Sequence, residues 1–249
     1  MRNTLRIAIW LVLLSGYGVA ESQGDTPNQM TANESLRQLD TVKERNILFA
    51  GIPYRVASEA ERVSAIIDEN WYELDRSGSI DFFVLNPAGF RVENEAEDSC
   101  SGLPTEKLIG GFGEHTLLFL NLPGLFTGSV KDYPLEKGVL MVGDRVVFGT
   151  DDAYRLEASG TDFRDIDQGR TGSFYLDFFQ NGAFVQRLID QSDYNDSKTE
   201  VLRILDLNDD DQPDFMISSP RHYEEHHIVI WLSGHNGYTK YEETLSFGC

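Results

Sequence analysis

Positive charge is scarce in this sequence. Its 249 residues include 21 lysines and arginines against 41 aspartates and glutamates, which gives a formal net charge of −20 at pH 7. Nucleic acids and anionic membrane surfaces are recognised by clusters of basic side chains, so a chain of this charge is poorly suited to either. The balance fits a protein that meets cations. An acidic, salt-tolerant surface without a specific cationic partner is the alternative.

Cysteine is scarce as well, with only Cys100 and Cys249. Neither lies in a CxxC motif or in a Cys/His zinc spacing. In an oxidising compartment we expect the two to form a disulfide, which would fix the last residue to the middle of the chain. The chain-entropy model gives at most about 4–5 kcal/mol for so long a loop. Free thiols or a bridge between two chains are the alternatives.

The sequence also lacks an apolar run long enough to span a bilayer. The longest N-terminal run, Ile7–Leu14, is too short for that, and it follows the basic residues Arg2 and Arg6. Small residues at Gly18–Ala20 suit cleavage by a signal peptidase. We therefore predict a signal peptide at 1–20, a periplasmic or secreted bacterial protein, and no membrane span after cleavage. Removal of this segment would leave a charge of −22. An uncleaved anchor is the alternative.

Familiar catalytic motifs are missing too. We find no GxSxG nucleophile elbow, no HExxH metalloprotease motif and no Ser-x-x-Lys pair. Hydrolysis by a pair of carboxylates stays open, because 41 acids offer many pairs and spacing along the chain does not reveal spacing in the fold. The motifs therefore predict no catalytic reaction.

After the signal peptide, residues 21–33 are polar and are predicted to be a flexible leader. Residues 34–249 are predicted to form a single β-rich domain. Its start carries two helical patterns, Glu34–Arg45 and the stronger Ser58–Leu74. In the second, Ser58 and Glu61 have the spacing of a capping box, and apolar residues recur at intervals of three and four.

From residue 80 onward the patterns are those of strands. Short apolar runs alternate with polar turns, and Asn181-Gly182 between two such runs is the strongest hairpin signal, because Asn-Gly suits the type I′ turn. The fold class is therefore predicted as mainly β (α+β), with antiparallel sheets and one or two N-terminal helices. A sandwich, a barrel and a partial propeller all remain open.

One acidic segment, Asp206–Asp214, lies between the apolar runs Leu202–Leu205 and Phe215–Ile217. Its oxygen-bearing residues alternate along a turning backbone, which is how proteins supply the six to eight oxygens that Ca²⁺ prefers. We predict ligands at positions 1, 3, 5 and 9 from side chains and at position 7 from a backbone carbonyl, namely Asp206, Asn208, Asp210, Asp214 and Gln212. A solvated acidic turn between two strands is the alternative.

The segment differs from the usual calcium loop at two positions. Position 6, usually glycine, is Asp211, which is one of the few other residues that tolerate a positive φ. Position 12 is Ile217 rather than glutamate, and no helical pattern flanks the loop, so an EF-hand is not expected.

The segment 204–217 resembles the calcium loop of FG-GAP/VCBS-type repeats, whose usual form is Asp-Leu-Asp-Gly-Asp-Gly-x-x-Asp between two strands. With His222-Tyr223, Val229–Ser233 and the terminal Gly248-Cys249, the last third of the chain is similar to secreted bacterial proteins that carry one such loop. The resemblance implies calcium at the four side-chain positions and implies no reaction. Relatives with many repeats form propellers, but this chain has no second good copy.

These observations lead to an expected function and one alternative. We expect a secreted or periplasmic calcium-binding protein with a non-catalytic binding or structural role at the cell envelope, and a protein or glycan partner that the sequence does not identify. The alternative is a periplasmic hydrolase in which calcium is structural.

Overall fold

A computed structural model describes residues 45–77, 82–111, 115–161, 172–194 and 198–248. The predicted signal peptide, the leader and all but the last residue of the predicted helix Glu34–Arg45 lie outside these ranges. All described residues belong to one compact unit. Within them, no helix is long and apolar enough to cross a membrane.

The largest sheet has nine strands and is assembled from both halves of the chain. Its strands are β1 (Ile47–Phe49), β3 (Tyr72–Ser77), β4 (Phe82–Pro87), β7 (Thr116–Leu120), β8 (Gly128–Asp132), β13 (Glu200–Asp206), β14 (Asp214–Ser218), β15 (Glu225–Leu232) and β16 (Thr239–Ser246). They run in the order β1-β7-β3-β4-β8-β13-β14-β15-β16. The sheet curls into a nearly closed barrel, and the Arg45 side chain beside β1 lies 3.8 Å from the Glu243 carboxylate on β16.

Two smaller sheets complete the fold. Their strands are β2 (Pro53–Arg55), β5 (Phe90–Glu95), β6 (Thr105–Gly110), β9 (Arg145–Phe148), β10 (Tyr154–Thr161), β11 (Gly172–Gln180) and β12 (Ala183–Tyr194). The three-stranded sheet has the order β2-β6-β5, and the four-stranded sheet has the order β12-β11-β10-β9. Every strand pair described in the three sheets is antiparallel. The mainly β, antiparallel fold class is thus confirmed.

The hairpin predicted at Asn181-Gly182 is confirmed. These two residues join β11 to β12, with φ angles of 49° and 81°. A type I′ turn needs positive φ at both positions, which asparagine tolerates and glycine adopts freely.

The long helix predicted over Ser58–Leu74 is wrong. The chain forms a 3₁₀ turn at Glu59–Glu61, then one helical turn, α1 (Val63–Ile66), and then enters strand β3. The capping-box residues do meet, but Ser58 Oγ donates to the Glu61 side chain at 3.2 Å and caps no backbone N–H. After α1, the Asp68 carboxylate accepts from Asn70 N at 2.8 Å, a local bond that competes with helix.

The apolar residues behind that prediction are nevertheless core residues. Val63, Ile67, Trp71 and Leu74 are each at most 8% exposed. They reach the core from a helical turn, a loop and a strand, since pairing of β3 with β4 and β7 outweighs the local helical pattern.

Two hydrophobic cores lie on opposite faces of the C-terminal strands. Leu205, Met216 and Ile230 face the first core with residues of β1, β3 and β7, whereas Phe215 and Val229 face the second core with the four-stranded sheet. Because successive residues of a strand point to opposite faces, strands covered on both sides are apolar without alternation. This explains why these strands are continuous apolar runs.

Candidate functional site

The predicted metal loop is the turn between β13 and β14. Leu205 at the end of β13 pairs with Asp214 at the start of β14, and β13 also pairs with β8 through Asp206 and Lys131. The loop therefore leaves and re-enters the middle of the nine-stranded sheet. Its first and last acids are held by strands rather than by flexible backbone.

Asp206 turns inward and organises the loop backbone. It is 2% exposed, and its carboxylate accepts from Asp210 N at 3.0 Å and from Asp211 N at 2.9 Å. Burial raises its pKa above the ordinary value, and the two backbone hydrogen bonds partly oppose this shift. Asp211, at position 6, has φ of 62° as expected for that position, and Asp209 has φ of 59°.

Asp214 is fully buried, with 0% exposure. One carboxylate oxygen accepts from Leu207 N at 2.6 Å, and the other accepts from the N–H and the hydroxyl of Ser233, each at 2.6 Å. Burial raises the pKa of Asp214 to about 7, although these three donors favour the ionised form. No ion pair joins Asp206 or Asp214 to a basic side chain in the described part of the chain.

Asn208 and Asp210 lie between these two anchors. Asn208 Nδ2 donates to Ser233 O at 2.9 Å, whereas its Oδ1 is buried and finds no donor among the described residues. Asp210 Oδ1 accepts from Gln212 N at 2.9 Å and from Ser233 Oγ at 3.0 Å. The side chain of Gln212 accepts from Gln180 Nε2 at 3.3 Å. Its backbone carbonyl stays a predicted ligand.

Sequence reasoning missed Ser233. It follows β15, is 6% exposed, and bonds to Asn208, Asp210 and Asp214. Its hydroxyl thus lies within 3.0 Å of carboxylate oxygens from two predicted ligands. A serine after an apolar strand carries no signal of this role, because only the pairing of β14 with β15 brings it to the loop.

Three further side chains fasten the outside of the loop. Tyr133 donates to Asp211 O at 3.1 Å, and Tyr238 donates to Pro213 O at 3.0 Å. Lys131 Nζ lies 3.0 Å from the exposed Asp211 carboxylate. These contacts come from β8 and from the residue before β16, so the loop is braced from both sides.

The oxygen donors of the loop are of the chemical type that a hard cation prefers, but the acidic side chains alone do not surround a metal position. Among the described residues, no group of three or more His, Cys, Asp or Glu side chains is placed so that it could hold a metal ion. An ion here would therefore need the Asn208 amide oxygen and backbone carbonyls as well as carboxylates, a mixture common for Ca²⁺.

Arg55 on β2 joins the neighbourhood of Cys100 to the chain end. Its guanidinium donates to Phe247 O at 3.1 Å and Gly248 O at 3.2 Å, and it lies 3.1 Å from the Asp98 carboxylate. Asp98 accepts from Cys100 N at 3.1 Å, and its hydrogen bonds with Ser101 and with Arg55 lower its pKa to about 2. Cys249 lies outside the described residues, so the disulfide stays a prediction.

His227 contacts an acid and a backbone carbonyl. The His227 imidazole lies 3.4 Å from the Glu242 carboxylate, and its Nδ1 contacts Ser219 O at 2.8 Å. The Ser219 hydroxyl instead contacts Thr199 at 3.0 Å and Gln191 at 3.2 Å. The imidazole therefore meets the serine carbonyl rather than a hydroxyl that it could activate.

A second pair of buried acids also has a structural explanation. Glu73 and Asp75 on β3 are 2% and 4% exposed. Glu73 accepts from Gly111 N at 2.9 Å, while Asp75 accepts from Thr116 Oγ1 at 2.6 Å and from Asn86 Nδ2 at 3.1 Å. Burial raises the pKa of Glu73. These carboxylates hold neighbouring strands together.

Comparisons with known proteins found no matching family model, no matching curated protein and no matching solved structure.

Proposed function

We propose that this protein binds Ca²⁺ through the loop Asp206–Asp214, and that it is a secreted or periplasmic protein with a binding or structural role at the cell envelope. The observation that supports this best is the burial of Asp206 and Asp214, at 2% and 0% exposure, without an ion pair to a basic side chain in the described part of the chain. Two donors at Asp206 and three at Asp214 offset part of the cost of burying these carboxylates, and a divalent cation would compensate the charge itself.

The orphaned oxygen of Asn208 supports the same proposal. A buried acceptor without a donor costs about 1–3 kcal/mol. This one belongs to a predicted ligand whose amide nitrogen is held by Ser233 O at 2.9 Å. The contact fixes which end of the amide remains for an ion, and an amide oxygen is a normal calcium ligand.

Calcium would act by linkage. An ion that binds only the folded state adds RT ln(1 + [Ca²⁺]/Kd) to the free energy of unfolding. For a weak extracellular site with Kd of about 10⁻⁴ M, 1 mM calcium would add about 1.4 kcal/mol. The ion would fasten the turn between β13 and β14, where the two cores share strands.

The test is a calcium titration of protein stripped with a chelator. We expect saturable binding by calorimetry and a rise in melting temperature with calcium. Asp206→Asn should abolish both, because it removes a buried charged ligand. Asp209→Asn is the matched control: Asp209 is exposed in the same loop, asparagine tolerates its φ of 59°, and binding should persist.

Two results would contradict the proposal. One is a wild-type melting temperature that does not move at 10 mM calcium, about 100 times the expected Kd. The other is an equal response from Asp206→Asn and wild type, which would place any bound ion elsewhere.

We also propose a disulfide between Cys100 and Cys249, consistent with export. Supporting this, Arg55 contacts both Gly248, the residue before Cys249, and Asp98, which accepts from Cys100 N. Intact mass of purified protein, alkylated with and without prior reduction, tests the bridge. Alkylation of both cysteines without reduction would refute it.

A further inference from the structure

One basic residue, Lys131, lies beside the predicted metal loop. It is on β8, directly opposite Asp206, the first predicted ligand, in the pairing of β8 with β13. Its Nζ lies 3.0 Å from the Asp211 carboxylate. Among the residues that the structure describes, no other basic side chain forms an ion pair with an acid of the loop. The positive charge of Lys131 is thus placed where negative charge is concentrated.

Two contacts hold the Lys131 ammonium group in this place. Besides the Asp211 carboxylate, it meets the Tyr133 ring, with Nζ 4.9 Å from the ring centroid, which is a favourable cation–aromatic contact. Tyr133 is itself fixed, because it is 6% exposed and its hydroxyl donates to Asp211 O at 3.1 Å. The hydrogen bond with Asp211 raises the pKa of Lys131 above its ordinary value, so the group is charged at neutral pH.

Asp211 occupies the sixth position of the loop, where a calcium loop usually has glycine. Its φ of 62° is a conformation that glycine adopts at lower cost, so the backbone gives no reason for aspartate here. The side chain is 88% exposed, and its carboxylate contacts Lys131. This departure from the usual loop therefore has a role in the structure, which is to hold the lysine beside the loop.

The loop needs positive charge when no ion is bound. It carries five aspartates in nine residues, and carboxylates so close together repel one another unless a cation is near. Burial raises the pKa of Asp206, and the charge of Lys131 acts on it in the opposite direction across the pairing of β8 with β13. The lysine therefore relieves part of the repulsion that calcium would otherwise relieve.

We propose that Lys131, held by Asp211, is a built-in counter-ion that stabilises the ion-free loop and lowers its affinity for calcium. The ammonium group and a divalent cation compete for the same negative field, since like charges repel. The Lys131 side chain is 51% exposed, so it can turn toward solvent when the ion binds without any repacking of the core. This inference rests on the proposed calcium site and concerns its regulation, because the lysine sets how much calcium the site requires.

The test is calorimetric titration of calcium into protein stripped with a chelator, for the wild type and two variants of Lys131. Lys131→Met keeps a linear side chain and removes the charge. We expect it to bind calcium about three- to fivefold more tightly than the wild type, which is the scale of one partly exposed charge. Lys131→Arg keeps the charge and should bind calcium with the wild-type affinity.

Lys137→Met is the matched control. The Lys137 side chain is 47% exposed, close to the value for Lys131, and its Nζ lies 2.5 Å from Asp144, which is outside the loop. This change removes the same charge from the chain, and the calcium affinity should stay near that of the wild type. A difference between the two methionine variants thus reports the position of the charge rather than the net charge.

Melting temperatures separate this role from a merely structural one. In chelator, Lys131→Met should melt below the wild type, because the loop has lost its counter-ion. In calcium at about 10 mM the difference should shrink, because the ion supplies positive charge to both proteins and binds the variant more tightly. A side chain that only supported the fold would lower the melting temperature equally in chelator and in calcium.

Equal calcium affinity in the wild type and Lys131→Met would overturn this inference and leave the proposed calcium site intact. Equal gains in affinity in Lys131→Met and Lys137→Met would also overturn it, as would a difference in melting temperature that calcium does not reduce. If neither the wild type nor Lys131→Met bound calcium, the site and its regulation would both be refuted. Binding by Lys131→Met alone would support the inference, because it would show that the lysine keeps calcium out.

Discussion

Asp214 couples the stability of this protein to pH. Burial raises its pKa to about 7 in the folded chain, whereas an exposed aspartate of the unfolded chain titrates at about 4. Between these values the folded state keeps a proton that the unfolded state has released. The free energy of unfolding of the ion-free protein should therefore fall as pH rises from about 4 to about 7, and then level off.

The size of this effect follows from the shift. A gap of about three pKa units at about 1.4 kcal/mol per unit amounts to about 4 kcal/mol, of which about 2.3 kcal/mol falls between pH 5 and pH 7, because the folded-state carboxyl is only half titrated at pH 7. At the proposed site, calcium would bind the ionised carboxylate and would therefore compete with the proton. The stabilisation by 1 mM calcium should accordingly be larger at pH 8 than at pH 5.

Urea unfolding followed by tryptophan fluorescence, at pH 5 to 8 in chelator and in calcium, measures both effects. Asp214→Asn should flatten the slope with pH and remove the calcium response. Asp209→Asn, an exposed neighbour, should keep both. Other buried acids with raised pKa, Glu73 and Asp206, add slope of the same sign, so the comparison with Asp214→Asn isolates the one residue.

The reasoning would be refuted by equal slopes in the wild type and Asp214→Asn. It would also be refuted by a calcium increment that does not change between pH 5 and pH 8.

Three further changes test one contact of the loop, one hairpin turn and one core residue. Ser233→Ala removes hydroxyl hydrogen bonds to Asp210 and Asp214 and should lower the free energy of unfolding, measured in urea, by about 1–3 kcal/mol. The control Ser246→Ala, on the exposed end of β16, should leave it unchanged. Equal effects of the two changes would mean that Ser233 is not a structural contact. Gly182→Ala places a Cβ at φ of 81° and should cost about 1–2 kcal/mol by the same assay, so an unchanged midpoint would argue against the type I′ turn. Phe215→Ala should lower the free energy of unfolding by about 3–5 kcal/mol in thermal unfolding, because Phe215 is fully buried. Phe184 is 58% exposed, so Phe184→Ala should lower it far less. Similar losses in the two variants would contradict the assigned core.

Some of the fold could be predicted because its signals are local. Asn181-Gly182 fixes a hairpin through the φ angles that its turn requires. The runs around Leu202–Leu205 and Phe215–Ile217 predict strands that lie close to the observed β13 and β14. Here local preference and tertiary structure agree.

The wrong helix prediction over Ser58–Leu74 shows where local sequence patterns stop being sufficient. Spacing of three and four residues marks apolar side chains that share a face of a helix, but a turn of helix followed by a strand can bury the same residues. Pairing of β3 with β4 and β7 decided between the two, and both partners lie later in the chain. The sequence of residues 58–74 contains no information on these partner strands.

Sequence alone determined the chemistry of the loop: which oxygens it offers, which residue must tolerate positive φ, and that strands flank it. Tertiary structure decided which of those oxygens are buried, since Asp206 and Asp214 owe their burial to β8, β14 and β15. It also decided that Ser233 reaches the loop and that Tyr133, Phe148 and Tyr154 pack together at the second core. Composition and spacing specify which chemical groups a segment carries. Whether those groups are buried, and which of them come together, depends on strands that are distant in sequence.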